Sequence, residues 1–155
     1  FNHGINIIGL WVVVDIIERQ TGIRKMSQLG GLAQQAPWMA ALLVVVALAN
    51  IALPLTNAFV GEFLMFSGLF QYNPWLALLA GLSIILAAVY TLGMIQKVFY
   101  GKRNDALTVS DLKVGEVLAL VAIIVMIVIA GVYPGPLLKL GGSETMTAVT
   151  TMLVP

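Results

Sequence analysis

Between Lys25 and Lys97 the sequence carries a single side chain of the Asp, Glu, Lys, Arg or His type, Glu62. A carboxyl group inside so long an apolar run is costly to keep and by default points to a proton or ion path. Eight residues earlier stands Pro54, flanked by Asn50, Thr56 and Asn57. Proline has no amide proton, and its ring would clash with the carbonyl of Asn50, so a helix running through this region is expected to break at residues 53–57. Asn50, Thr56 and Asn57 supply side chains able to satisfy the backbone groups such a break frees, which lipid cannot do. Broken membrane helices recur at transport sites, where irregular backbone lines a cavity, and Glu62 falls on the half-helix after this one. The alternatives are a fixed hydrogen bond or an interfacial position for Glu62, and a simple proline kink for the break.

His3 is the one histidine. Imidazole changes charge near neutral pH, which suits a proton relay. Read alone, a single histidine in this setting is more often a hydrogen-bonded core residue. One histidine without cysteine cannot supply the usual metal-ligand set, so no metal site is expected. Asp15 and Arg19, four residues apart at a helix end, are expected to form an ion pair, and Lys97 to reach for the headgroups at the end of its span. The methionines and Gly61, Gly68, Gly81 and Gly93 are expected to pack against neighbouring helices.

The elements that must position these residues follow from composition. With 60% hydrophobic and 10% charged residues, and a mean hydropathy of +1.00, the chain is too apolar for a soluble domain, where about 25% of residues are charged. It needs a bilayer. The absence of cysteine excludes disulfides, cysteine-ligated iron–sulfur clusters, c-type haem attachment and thiol chemistry in these residues. A net charge of +1, with the basic residues scattered at helix ends, argues against nucleic acid as a partner. No basic n-region or cleavage site for a signal peptide is visible. The sequence opens inside an apolar helical segment without an initiator methionine, so further residues are expected to precede Phe1.

The expected architecture is an all-α membrane bundle with spans at approximately 1–18, 38–71, 75–98 and 114–133, and a tail at 134–155. Ser110 and Asp111 read as start residues for the last helix. As one straight helix, 38–71 would reach roughly 50 Å against a hydrocarbon core of about 30 Å. It is therefore two short spans or one discontinuous span broken near 53–57. If it crosses once, Arg19, Arg24, Lys25, Lys97, Lys102, Arg103 and Lys113 share one side and only Lys139 lies opposite. That is a strong positive-inside bias, which two crossings would abolish, so the single broken span is expected. Loops 19–37 and 99–113 are then cytoplasmic and the tail periplasmic. Trp38, Tyr72, Trp75, Tyr100 and Tyr133 mark the interfaces. The stretch from Ser143 to Val154 is compatible with a short surface helix or with a disordered tail.

His3-Gly4, the stretch ALANIALPLTNAFVGEF from Ala47 to Phe63 and AAVYTLGMIQKVFYGK from Ala87 to Lys102 together resemble the antiporter-like membrane subunits of bacterial respiratory complex I (NADH:quinone oxidoreductase), and among them the subunit M (subunit 4) type. The resemblance runs over essentially the whole chain, and the LP-x-T-N-x-x-x-GEF pattern from Pro54 to Phe63 is its distinctive part. It implies a C-terminal portion of a fold of about fourteen helices arranged around two inverted half-channels. This portion would begin within the eleventh helix, with Pro54 marking the break in the twelfth, while the helices holding the family's other key glutamate and lysines lie outside it. On the same resemblance His3 is the central relay histidine, and Glu62 is the glutamate that hands protons toward the periplasmic side. Related antiporter-like subunits mostly carry lysine there, which is what favours the subunit M type.

The implied function is proton translocation in a bacterial inner membrane, through a buried His3/Glu62 polar axis, driven by electron transfer in partner subunits. No redox chemistry and no cofactor are expected in this chain; flavin, iron–sulfur clusters and quinone are expected in its partners. The neighbouring antiporter-like subunits and the lipid bilayer are the expected contacts. The rival readings are a subunit of a multisubunit sodium/proton antiporter or membrane-bound hydrogenase, and a non-conducting membrane scaffold.

Overall fold

The computed structural model describes residues 2–139. The expectation for the stretch 143–154 lies outside them. Among the described residues five helices follow one another: α1 (Asn2–Thr21), α2 (Pro37–Asn50), α3 (Asn57–Tyr72), α4 (Pro74–Val98) and α5 (Val114–Val132), with two short 3-10 turns between α1 and α2, and residues 135–139 are helical after Pro134. No strand occurs among the described residues. By length and composition α4 and α5 can each cross a membrane, whereas α2 is a shorter apolar helix. At about 1.5 Å per residue, the 14 residues of α2 and the 16 of α3 each fall short of a hydrocarbon core of about 30 Å.

α1 buries Ile5, Asn6, Gly9, Val13, Ile16 and Ile17, a stripe at helical spacing, against α2 and α5. Its charged end is held by Asp15 and Arg19, paired at 2.7 Å in the i,i+4 contact that the spacing predicts, and by Glu18 with Arg24 at 2.6 Å. The main core joins Val13, Ile16, Leu32, Met39, Leu43, Val98, Phe99 and Leu120 near the ends where the loops gather. A smaller cluster of Ile5, Ala49 and Ile127 lies beside the interruption between α2 and α3.

The segments 22–36 and 99–113 pack on one another. Ala33 N–H donates to the Phe99 carbonyl at 3.0 Å, and the Asn104 side chain donates to the Gln28 carbonyl at 2.8 Å. Gln35 donates to Leu107 and accepts from Val109 N–H. Gly31, at φ 66, makes this approach possible, because a Cβ there would stand 2.6 Å from the Arg103 Cα.

Asp111 corrects one expectation. Its two oxygens accept the N–H groups of Trp38 and Met39, each at 3.0 Å, so it caps α2 rather than α5. Helix α2 needs such help, because Pro37 opens it and Ala36 has no side chain that can cap. α5 instead starts after Lys113, whose N–H donates to Glu116 at 2.9 Å. α4 has a local cap: Asn73 Oδ1 accepts from Trp75 N–H at 2.9 Å.

α3 and α4 form an antiparallel pair with little buried surface; Asn57 is the one fully buried residue of α3. Trp75, Leu78, Leu82, Val89 and Tyr90 all face outward. An exterior this apolar is the reverse of a water-soluble surface. Among the described residues nothing lies within 4 Å of a Cβ built at Gly61, Gly68, Gly81 or Gly93, so the helix packing expected of these glycines is not made within this chain.

Candidate functional site: the interruption between α2 and α3

α2 ends at Asn50 and α3 begins at Asn57. The helix stops at Asn50, the residue whose carbonyl Pro54 could not bond, because proline lacks the N–H and its ring would crowd that oxygen. Ala52 (φ 57) and Leu55 (φ 76) occupy the left-handed region, which costs an L-residue about 1–2 kcal/mol each. Such strain persists only where the surroundings hold it, and it clusters at functional sites. Here one clamp is α5: a Cβ at Gly131 would collide with the carbonyl oxygen of Leu55, so only glycine lets the last turn of α5 lie against the interruption.

The freed backbone groups find partners. Thr56 Oγ1 donates to the Leu53 carbonyl at 2.6 Å, and Ala52 N–H reaches the Ala49 carbonyl at 3.2 Å. The Ala49 carbonyl also accepts from Asn6 Nδ2 at 3.2 Å, a bond that comes from α1, 43 residues away in sequence. Asn2 and Asn57 clasp one another: each side-chain amide donates to the other's backbone carbonyl at 3.1 Å. Asn6 and Asn57 are fully buried. Sequence reasoning missed Asn2 and Asn6. The available signal was an i,i+4 pair of amides on an otherwise apolar helix, meeting the amides at the break.

Glu62 lies just over one helical turn beyond Asn57, half-buried. It lines a cleft of about 350 Å³ together with Ile51, Met65, Ser83, Ala87 and Tyr90, which joins the interruption to the middle of α4. His3 sits in the first turn of α1, next to Asn2 of the clasp, with its side chain exposed. No hydrogen bond joins His3 to Glu62 among the described residues; what the fold brings together is Asn2, Asn6, Thr56 and Asn57, with His3 next to Asn2 and Glu62 after Asn57 in sequence. Among the described residues the Asn50 side-chain oxygen is buried and has no hydrogen-bond partner, and no bond from Asn50 to the freed backbone occurs.

The described residues, all helical with an apolar exterior and two helices long and apolar enough to cross a membrane, define a helical membrane protein. The family described as "NADH:quinone oxidoreductase/Mrp antiporter, TM" matches residues 1–88, more than half the chain. The chain belongs to that family, the one its sequence resembles. It is 34% identical over 135 residues to the NADH-quinone oxidoreductase subunit M of Rhodobacter capsulatus, covering 86% of this chain and 26% of that protein. The subunit M of Escherichia coli K12 is 30% identical over 139 residues, covering 88% of this chain and 27% of that protein. Among solved structures, a chain of respiratory complex I from Thermus thermophilus with bound NADH superposes with a TM-score of 0.71 at 36% identity, covering 79% of this chain and 26% of that one. The chain thus spans about a quarter of the length of these relatives.

Proposed function

We propose that this chain is part of a proton-translocating membrane subunit of an NADH:quinone oxidoreductase, and that Glu62 and His3 exchange protons on either side of the α2–α3 interruption. The observation that carries the reading is the position of Glu62. It is the one acid in an uncharged run, half-buried in a cleft beside a strained break, in a family whose members are named for quinone-linked oxidoreductases. A carboxyl there can take a proton from one side and release it to the other without any redox chemistry in this chain. Electron transfer, with its flavin, iron–sulfur clusters and quinone, belongs to partner subunits, and the neighbouring antiporter-like subunits and lipid cover the apolar exterior.

On this reading the chain crosses a bacterial inner membrane four times, with α2 and α3 together forming one discontinuous span. The contact between segments 22–36 and 99–113 favours a single crossing, because two crossings would put these basic loops on opposite faces. In the assembled complex, Glu62→Gln is expected to lose proton movement into vesicles while quinone reduction in uncoupled membranes continues. Undiminished pumping removes the role.

The family description also names the Mrp antiporter, which favours a second reading as a sodium/proton antiporter subunit. An operon lacking flavin and iron–sulfur subunits selects it.

A further inference from the structure

Of the helical glycines among the described residues, Gly131 is the one whose added Cβ would meet backbone. It would overlap the Leu55 carbonyl oxygen and stand 2.5 Å from the Thr56 carbonyl carbon. A side chain can turn away from an added methyl group, whereas backbone has to move bodily. Carbon atoms ordinarily stay about 3.5 Å apart, so with alanine at 131 one of the two chains must give way by about 1 Å.

The interruption is the chain that gives. The last turn of α5 is held by the Tyr133 N–H, which donates to the Ile129 carbonyl at 2.9 Å. One turn before Gly131, Ile127 is buried with Ile5 and Ala49, and Ile123 packs on the same cluster. Leu55, by contrast, lies outside any helix and in the left-handed region. Thr56 leads directly into α3, whose one fully buried residue is Asn57. Apart from its pairing with α4, the start of α3 is therefore set by two ties: the Asn2–Asn57 clasp to α1 and the seat against Gly131 on α5. A helix carries a displacement of its first residue along its length, and Glu62 lies in the second turn of α3.

We propose that Gly131 is a positioning residue: the bare surface it leaves on α5 sets where the interruption lies, and thereby where the Glu62 carboxyl stands in its cleft. A misplacement of about 1 Å at a reacting group can slow a reaction by roughly 10²-fold, so proton transfer through Glu62 is sensitive to a shift of this size. The consequence for proton movement rests on the function proposed above; the placement of Glu62 does not.

The test uses the full-length chain in its assembled complex. Gly131→Ala is compared with Asp111→Ala, which removes the cap at the other end of α2 and controls for general loss of stability. Two quantities are read: protons moved per electron, and the rate at which dicyclohexylcarbodiimide modifies Glu62, located by peptide mass spectrometry. With Gly131→Ala, a several-fold change in labelling rate and a loss of protons per electron are expected, with quinone reduction retained. With Asp111→Ala both quantities are expected to match the parent. Adding Leu55→Gly to Gly131→Ala lets the backbone turn the carbonyl at 55 aside while the clasp holds α3, so both quantities should return toward those of the parent. An unchanged labelling rate in Gly131→Ala overturns the positioning role, as does a change that Asp111→Ala reproduces or that Leu55→Gly does not relieve. If Gly131→Ala does not assemble, assembly restored in the double variant supports the contact, and continued failure overturns it. A labelling change in Gly131→Ala beside undiminished pumping in Glu62→Gln upholds the placement and removes the role of Glu62 instead.

Discussion

At the scale of single residues, Asn6 is the most informative side chain after Glu62. Its amide donates to the Ala49 carbonyl from full burial, while its oxygen has no partner among the described residues. Leucine loses the Ala49 bond but also removes the orphan oxygen, and the Ala49 carbonyl keeps the Ala52 N–H, so the two effects offset, whereas placing a second acceptor against that carbonyl costs about 1–3 kcal/mol. Asn6→Leu is therefore expected to leave thermal unfolding of the full-length protein nearly unchanged, and Asn6→Asp to lower its midpoint clearly. Equal midpoints would mean that the Ala49 bond does not hold α1 to the break. Glu62, Pro54 and the amides at 50 and 57 were legible in sequence because a charge or a proline in an apolar run stands out without any partner. Asn2 and Asn6 were not, since an amide on an apolar helix acquires meaning only once the carbonyl it meets is known.

Among the elements, the ends of α2 decide where the interruption sits. One end is pinned by Asp111, 73 residues away, through two N–H groups at 3.0 Å; the other runs into Ala52 and Leu55 in left-handed conformations. Loss of an N-cap carboxylate costs about 1–2 kcal/mol. Asp111→Ala is expected to destabilise the full-length chain by that amount, read as a lowered unfolding midpoint. Asp111→Asn keeps one accepting oxygen and is expected to lose less. Identical losses for the two variants would mean that capping is not what Asp111 contributes. The sequence marks Asp111 as a capping residue, but local spacing assigns it to the helix that follows, because a cap that returns across a loop to an earlier helix leaves no trace in the spacing. The helix bodies were more legible. Proline at the first position of α2 and α4, and an aromatic residue at or beside one end of each of α2 to α5, are local signals that no tertiary contact has to supply.

For the whole molecule, the arrangement of the basic loops carries the transport reading, because Glu62 is useful only if the segment around it crosses the membrane once. Segments 22–36 and 99–113 hydrogen-bond to each other through Ala33, Gln35 and Asn104. Seven of the eight basic residues then gather at that end, as Lys139 is the one that follows α5. These 155 residues hold no cysteine, so single cysteines placed here can report sidedness. Ser27→Cys and Ala106→Cys lie at exposed positions in the two loops, and Gln71→Cys at an exposed position near the end of α3. In oriented vesicles, with other accessible cysteines of the full-length chain replaced, a membrane-impermeant maleimide is expected to label Ser27→Cys and Ala106→Cys from the same face. Gln71→Cys should label from the opposite face. If α2 and α3 were two complete crossings, Ser27→Cys and Gln71→Cys would share a face and Ala106→Cys would change sides. The interruption would then be a turn at the surface rather than a break at depth, and the path from His3 to Glu62 would have no membrane to cross.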